Sequence, residues 1–231
     1  MCGICCTVCL DCGLSRDNAR KCQTFISDRL LSALRRRGPD YSKFTDVPLV
    51  GDTRHLQACA CTLRMRGPPL KDDSQAQPLT DENGRVFLWN GEVFGGGVEV
   101  NPGDCDTLGL FATLSTCDTD DDILFTLKSI KGPFAFIYFD SESLWFGRDF
   151  FGRRSLLWSI SDYGEDGGNK RMALCSVADA TSDTVGSLES GGVEVAWQEV
   201  PAKGIFKFRF LSLFRFQLEI HCSWSPGIFE S

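Results

Sequence analysis

The chain has 231 residues, of which 42% are hydrophobic and 24% charged, and its formal net charge is −7. This composition is typical of a folded globular protein and excludes general disorder. The length allows one large domain or one domain with an appendage. The acidic balance argues against nucleic acid or an anionic membrane as the main partner, and no apolar run approaches the roughly 20 residues that span a bilayer. The amino terminus has no basic segment ahead of its apolar one, as a secretory signal would have, which favours a cytoplasmic location, with the nucleus as the alternative.

Hydrophobic periodicity and turn residues predict an alternation of helices and short strands. In chain order, the predicted elements are a strand over 1–10, a helix over 22–36, strands near 57–64, 86–90 and 92–94, a helix from about 106 to 115, a helix that starts at 119–122, strands over 134–139, 144–148 and 155–160, a loop at 162–170, and closing strands at 172–178 and 193–198. Basic residues in the last turn of the helix over 22–36 suit its dipole, and Gly38 and Pro39 should then end it.

The cysteines are concentrated at the start of the chain. Six of the twelve lie in the first 22 residues, namely Cys2, Cys5, Cys6, Cys9, Cys12 and Cys22. Three of their spacings are C-x-x-C, which structural zinc sites use because such thiolates can take two tetrahedral vertices. No second pair follows at the usual distance, so we expect no metal and interpret the run as a buried strand in which cysteine is a small hydrophobe. A zinc-stabilised module is the alternative.

Cys2 is a candidate nucleophile that carries its own base. Thiol nucleophiles normally use a histidine side chain as their base, and this chain has only two histidines. If Met1 is removed, the α-amine of Cys2 becomes free, and such an amine titrates at about 7.7–8.0 and can accept the thiol proton. Gly3 would let the backbone bend close to a bound substrate.

The Asn90-Gly91 step lies between two apolar stretches. This pattern is first of all a hairpin turn signal. The same turn would present the Asn90 amide and the Gly91 N–H on one side, which makes a two-donor oxyanion hole. The residues alone leave both interpretations open.

Five motifs occur in the order that one family uses. They are Met-Cys-Gly-Ile at 1–4, Arg-Gly-Pro-Asp at 37–40, Gln-Pro-Leu at 77–79, Asn-Gly-Glu at 90–92 and Gly-Arg-Asp-x-x-Gly at 147–152. Together they resemble the class II glutamine amidotransferase domain of asparagine synthetases, an N-terminal-nucleophile family. The resemblance covers residues 1 to about 208, and stretches 144–158 and 197–202 narrow it to a divergent branch. It implies an α+β fold, a four-layer αββα sandwich of two antiparallel sheets between helices, and no cofactor.

The resemblance also implies a reaction and its residues. Cys2 would attack the side-chain amide of L-glutamine, release ammonia and form a thioester that water hydrolyses, while Asn90 and Gly91 stabilise the oxyanion. Asp104 matches the family carboxylate that pairs with the substrate α-amino group, with Asp106 as a neighbouring alternative.

The remaining implied substrate contacts are Glu92 and Arg64. Aligning on Ala60 puts Leu63 where the family has the arginine that binds the α-carboxylate, and a slip of one residue puts Arg64 there. A guanidinium suits a carboxylate, so we take Arg64 as the ligand and leave the register open. Without such an arginine, glutamine hydrolysis would be slow or absent.

The end of the chain departs from the family. From Gly204 onward apolar residues alternate as in one over-long strand, and we expect 209–231 to be an atypical tail, truncated or alternatively spliced. A membrane-surface segment is the alternative.

The Ser-Gly-Gly at 190–192 lacks the rest of the family's ATP-binding motif, so we expect a turn there and no synthetase domain. The ammonia acceptor would then be a synthetase domain or protein in trans, and a catalytically silent binding or regulatory module is the rival to a glutaminase.

Overall fold

Short runs rich in aromatic, β-branched and cysteine residues form strands, and the apolar-periodic runs form helices. The computed structural model describes residues 1–9, 26–49, 55–65, 73–98, 103–163, 169–178, 196–211 and 215–223. The strands there are β1 Gly3–Cys9, β2 Tyr41–Pro48, β3 His55–Thr62, β4 Leu79–Thr80, β5 Val86–Gly91, β6 Phe134–Phe139, β7 Ser143–Arg148, β8 Leu157–Tyr163, β9 Asn169–Cys175, β10 Gln198–Glu199, β11 Gly204–Leu211 and β12 Arg215–Ser223. The helices are α1 Asp28–Arg37, α2 Asp106–Ser115 and α3 Asp120–Ser129, with a 3-10 turn at Asp73–Gln75.

The strands form two antiparallel sheets that pack face to face. The first sheet has the order β10-β8-β9-β1-β3-β2, and the second has the order β12-β11-β7-β6-β5-β4. Alternate residues of each strand face the partner sheet, so Ile4, Cys6 and Val8 of β1 share one buried cluster with residues such as Leu88 and Ile137 of the second sheet. The core therefore lies between the sheets.

Helices cover the outer face of each sheet. Leu30 and Leu34 of α1 pack on the first sheet, whereas Leu110 of α2 and Leu127 of α3 pack on the second. Side chains cap the starts of α1 and α3, where the Ser27 hydroxyl accepts from the Leu30 N–H at 3.1 Å and the Thr119 hydroxyl accepts from the Asp122 N–H at 3.2 Å. The predicted four-layer αββα sandwich is confirmed. No helix in the described stretches is long and apolar enough to cross a membrane.

Some predicted elements differ from the observed ones. The strand predicted at 92–94 is wrong, because β5 ends at Gly91 and the Phe94 N–H donates to the Lys131 carbonyl at 2.7 Å outside any strand. The edge strand β2 was not predicted, since its side chains alternate only between half-buried and exposed. Helix α1 is shorter than its prediction, which includes residues 22–25 outside the described ranges. Residues 193–195 of the last predicted strand also lie outside them.

The C-terminal segment is part of the second sheet. β11 pairs with β7 on one side and with β12 on the other, so the run predicted as one long strand is a hairpin over its described residues. Phe208, at the boundary predicted between domain and tail, is buried within β11. The division at 208 and the nature of the tail stay predictions.

A buried lysine ties this segment to a helix. Lys207 is 4% exposed on the outer face of β11, with its Nζ 2.5 Å from the Asp120 carboxylate at the start of α3 and 4.4 Å from the centre of the Trp145 ring. A buried ammonium that loses its carboxylate is strongly destabilising, because its desolvation is no longer offset.

We therefore expect Asp120→Asn to lower the free energy of unfolding by about 2 kcal/mol, less than for a fully buried pair because the carboxylate is partly exposed. Urea denaturation monitored by tryptophan fluorescence measures the change. Asp121→Asn is the matched control, since it removes the same charge from the same helix turn on an exposed residue. Equal losses in the two variants would contradict this account of Lys207.

Candidate active site

The start of β1 and the end of β5 meet where the two sheets pack together. The Cys2 backbone N–H donates to Asn90 Oδ1 at 3.0 Å, and the Cys2 Sγ lies 3.8 Å from the Leu63 carbonyl oxygen. Cys2, Leu63 and Asn90 line one cavity of ≈ 340 Å³. This volume is within the range of small-molecule sites, roughly 300–1,000 Å³.

Close backbone packing places Cys2. Gly3 pairs with Cys61 on β3, and a Cβ at Gly3 would lie 2.6 Å from the Leu34 carbonyl oxygen of α1. Glycine is therefore needed for α1 to approach β1 next to the cavity, which gives Gly3 a packing role beside the one predicted from the sequence.

Asn90 and Gly91 are strand residues, and the hairpin interpretation of this step is wrong. They pair with Ala135 and Phe134 of β6, a strand that lies far along the chain. A Cβ at Gly91 would lie 2.6 Å from the Pro133 carbonyl oxygen, which explains the glycine. Asn90 is 1% exposed, and its Nδ2 is buried with no hydrogen-bond partner in the described part of the chain. A buried amide donor without a partner requires an explanation, and a ligand oxygen would supply one.

The predicted substrate contacts divide into two groups. Arg64 and Glu92 line the cavity, and the Arg64 backbone N–H is held by the Asp40 carboxylate at 2.8 Å. Asp104 is exposed and does not line the cavity, whereas Asp106 lines it and is buried. The Asp106 carboxylate accepts from the Val93 N–H at 3.1 Å, which fixes the backbone just after Glu92.

Arg154 is a cavity residue that the sequence reasoning missed. Its Nη2 lies 3.4 Å from Glu92 Oε1, and it is the second residue after the Gly-Arg-Asp-x-x-Gly motif. The Asp149 carboxylate of that motif accepts from the Phe134 and Arg153 N–H groups, and Arg148 Nε donates to the Arg154 carbonyl at 2.7 Å. The buried Arg148 and Asp149 of the motif thus hold the turn that positions Arg154. Two arginines follow the motif, and the sequence does not show which of them faces the cavity.

The Cys2 thiol is held in its neutral form in the chain with Met1 in place. Burial raises its pKa, and the nearby Asp106 charge acts in the same direction, opposed by the charged amino terminus. A neutral thiol is a weak nucleophile, so attack by Cys2 requires a base within reach.

Metal ligands are not assembled here. In the described residues no group of histidine, cysteine, aspartate or glutamate side chains is arranged to hold a metal ion. Cys12 and Cys22 of the predicted cysteine cluster lie outside those residues.

Comparison with known proteins identifies the relatives of this chain. No family model matches it. It is 43% identical over 210 residues to asparagine synthetase domain-containing protein 1 of Bos taurus, and 39% identical over 209 residues to the protein of that name in Homo sapiens, covering 90% of this chain in both cases. The chain is a homologue of asparagine synthetase domain-containing protein 1. It spans 28% of the length of these two relatives.

Solved structures show the same fold. The glutamine phosphoribosylpyrophosphate amidotransferase of B. subtilis matches with a TM-score of 0.54 at 15% identity, over 94% of this chain and 49% of that one. A structure described as the allosteric regulatory enzyme of purine biosynthesis matches with a TM-score of 0.58 at 16% identity, over 94% of this chain and 48% of that one. The predicted N-terminal-nucleophile amidotransferase fold is confirmed.

We expect alkylation of Cys2 by iodoacetamide to have its pH midpoint above that of the unfolded chain, since burial raises the pKa of the thiol. The measurement is the modified fraction of the amino-terminal peptide, by mass spectrometry, across neutral to alkaline pH in protein that retains Met1. The same peptide in denaturant is the control. A midpoint at or below the unfolded value would show that Cys2 is not in the apolar setting described.

Proposed function

We propose that this chain is a glutamine amidotransferase domain that hydrolyses L-glutamine to glutamate and ammonia with Cys2 as the nucleophile. The observation that carries the proposal is the position of Asn90. Its Oδ1 accepts from the backbone nitrogen of Cys2, while its buried Nδ2 has no partner in the described residues. One side chain thereby contacts the nitrogen that would act as the base and offers a donor for a substrate oxygen.

The reaction would begin with removal of Met1, which converts the Cys2 backbone nitrogen into a free α-amine. That amine would accept the thiol proton as Cys2 Sγ bonds to the amide carbon of glutamine. Asn90 Nδ2 and the Gly91 N–H would stabilise the tetrahedral oxyanion. The carbon–nitrogen bond then breaks, ammonia leaves with the proton held by the amine, and water hydrolyses the thioester to release glutamate.

The charges of the cavity suit an amino-acid substrate. Arg64 supplies a guanidinium for the α-carboxylate, and Glu92 supplies a carboxylate for the α-ammonium group. Asp104 stays a proposed substrate contact from the family resemblance, although the nearer carboxylate is that of Asp106. The chain's relatives are named for an asparagine synthetase domain. We propose that such a domain or protein, in trans, receives the ammonia, and that the chain acts in the cytoplasm in glutamine-dependent asparagine biosynthesis.

A catalytically silent binding or regulatory module is the second candidate. It is favoured by the ion pair between Glu92 and Arg154, at 3.4 Å. Glu92 is a predicted substrate contact, and in this pair its carboxylate is bound by the protein itself. Met1 also lines the cavity, so a chain that retained Met1 would lack both the free amine and part of the space for substrate.

We expect the purified chain that has lost Met1 to release glutamate from glutamine, and Cys2→Ala to abolish the release. Asn90→Ala should lower kcat by about 10²–10³-fold with little change in KM, because an oxyanion donor acts mainly in the transition state. A coupled glutamate dehydrogenase assay measures both.

Cys117→Ala is the matched control, since Cys117 is a partly buried thiol that does not line the cavity. Release that survives Cys2→Ala would contradict the assignment of the nucleophile. A processed, folded chain that releases no glutamate would identify the silent module.

A further inference from the structure

Four cysteine side chains form a buried layer beneath α1, on the face of the first sheet opposite the core. They are Cys5, Cys59, Cys61 and Cys175, all fully buried, all free thiols, and packed against Leu30 and Leu34. The proposed reaction uses none of them. We call them the thiol layer.

Strand register places Cys5 opposite two other cysteines. It is paired with Cys175 on β9 and with Cys59 on β3. In a central antiparallel strand, successive residues direct their backbone N–H and C=O groups to opposite neighbours. Ile4 directs both toward β9, because its carbonyl accepts from the Ser176 N–H at 2.9 Å and its N–H donates to the Ser176 hydroxyl at 3.0 Å. The backbone groups of Cys5 therefore point toward β3.

The two pairs consequently have different geometry. Cys5 and Cys175 form a non-hydrogen-bonded pair, in which the Cα atoms are roughly 4.5 Å apart and the side chains approach most closely. Cys5 and Cys59 form a hydrogen-bonded pair, with Cα atoms roughly 5.5 Å apart. The nearby Cys175 thiol raises the pKa of Cys5, whereas the pKa of Cys59 is raised chiefly by Cys61 on its own strand.

We propose that Cys5 and Cys175 are a disulfide-forming pair, which joins β1 to β9 when the chain meets a disulfide oxidant such as oxidised glutathione. One cysteine thiolate attacks the oxidant, breaks its S–S bond and releases one glutathione thiolate. The second cysteine thiolate attacks the protein sulfur of this mixed disulfide, forms the new S–S bond and releases the second glutathione thiolate. The two cysteines are oxidised, and their two protons end on two molecules of reduced glutathione.

The bond would stabilise the sheet without entering the cavity. Cys5 faces α1, whereas Cys2 packs on the cluster between the sheets. The loop closed by the bond contains most of the chain, so the unfolded state would be strongly constrained. Formation should be slow at neutral pH, because the contact with Cys175 and burial both raise the pKa of Cys5 and keep the thiol neutral.

The experiment exposes the reduced full chain to oxidised glutathione in two arms, one with folded protein and one in which the oxidant is present during refolding. Acid quenching, alkylation of free thiols and a non-reducing digest then identify the linked peptides by mass spectrometry. We expect a Cys5–Cys175 linkage that dithiothreitol reverses, and a rise in Tm of roughly 10 °C in the linked fraction.

Matched variants separate the pair from the rest of the thiol layer. Cys59→Ser should keep both the linkage and the rise in Tm, whereas Cys175→Ser should lose both. Cys175→Ala repeats the test with a smaller apolar residue if the serine variant fails to fold. Linkage of Cys5 to Cys59 would overturn the proposal. The proposal would also be overturned if, in both arms, Cys5 were found only as a mixed disulfide with glutathione or only in its reduced form. None of these readouts depends on glutamine hydrolysis.

Discussion

The hydrogen bond from the Cys2 backbone nitrogen to Asn90 Oδ1 is the contact on which the site depends. It joins the first residue before β1 in one sheet to the end of β5 in the other, at 3.0 Å. It forms only if the sheets pack in one register, because each strand presents a given side chain to one face only. The core between the sheets therefore determines the distance between the proposed nucleophile and the proposed oxyanion donor.

Three buried features hold that register around the cavity. At Gly3, α1 approaches β1 more closely than a side chain would permit. At Asp149, one carboxylate holds the backbone of β6 and of the turn that carries Arg154. At Asp106, the start of α2 fixes the backbone after Glu92. Both carboxylates bind backbone N–H groups, so each stabilises a loop conformation that the loop residues alone would not specify.

Local patterns predicted most of the strands and helices, whereas the sandwich and the joint site of Cys2 and Asn90 were expected from the family resemblance. The alternation of Ile4, Cys6 and Val8 with outward residues follows from the period of a buried strand. β2 was not predicted, because this edge strand has no continuous apolar face in its sequence. The presence of Arg154 in the cavity depends on a turn held by contacts distant in sequence, which composition and spacing do not encode. The sequence also does not show whether Asp104 or Asp106 lines the cavity. The exact start of α2 decides this, because the two carboxylates are only two residues apart.

The most direct test of the central claim is the intact mass of the purified chain before and after incubation with diazo-oxo-norleucine, a glutamine analogue that alkylates nucleophiles of this type. Prior loss of Met1, followed by a single adduct located on Cys2, is the predicted result, because the free amine, the thiol and the Asn90 donor would then act on one ligand. Asn90→Ala should form the adduct more slowly. A chain that retains Met1, or a processed and folded chain that gains no adduct, would contradict the claim that these residues form a working glutaminase site.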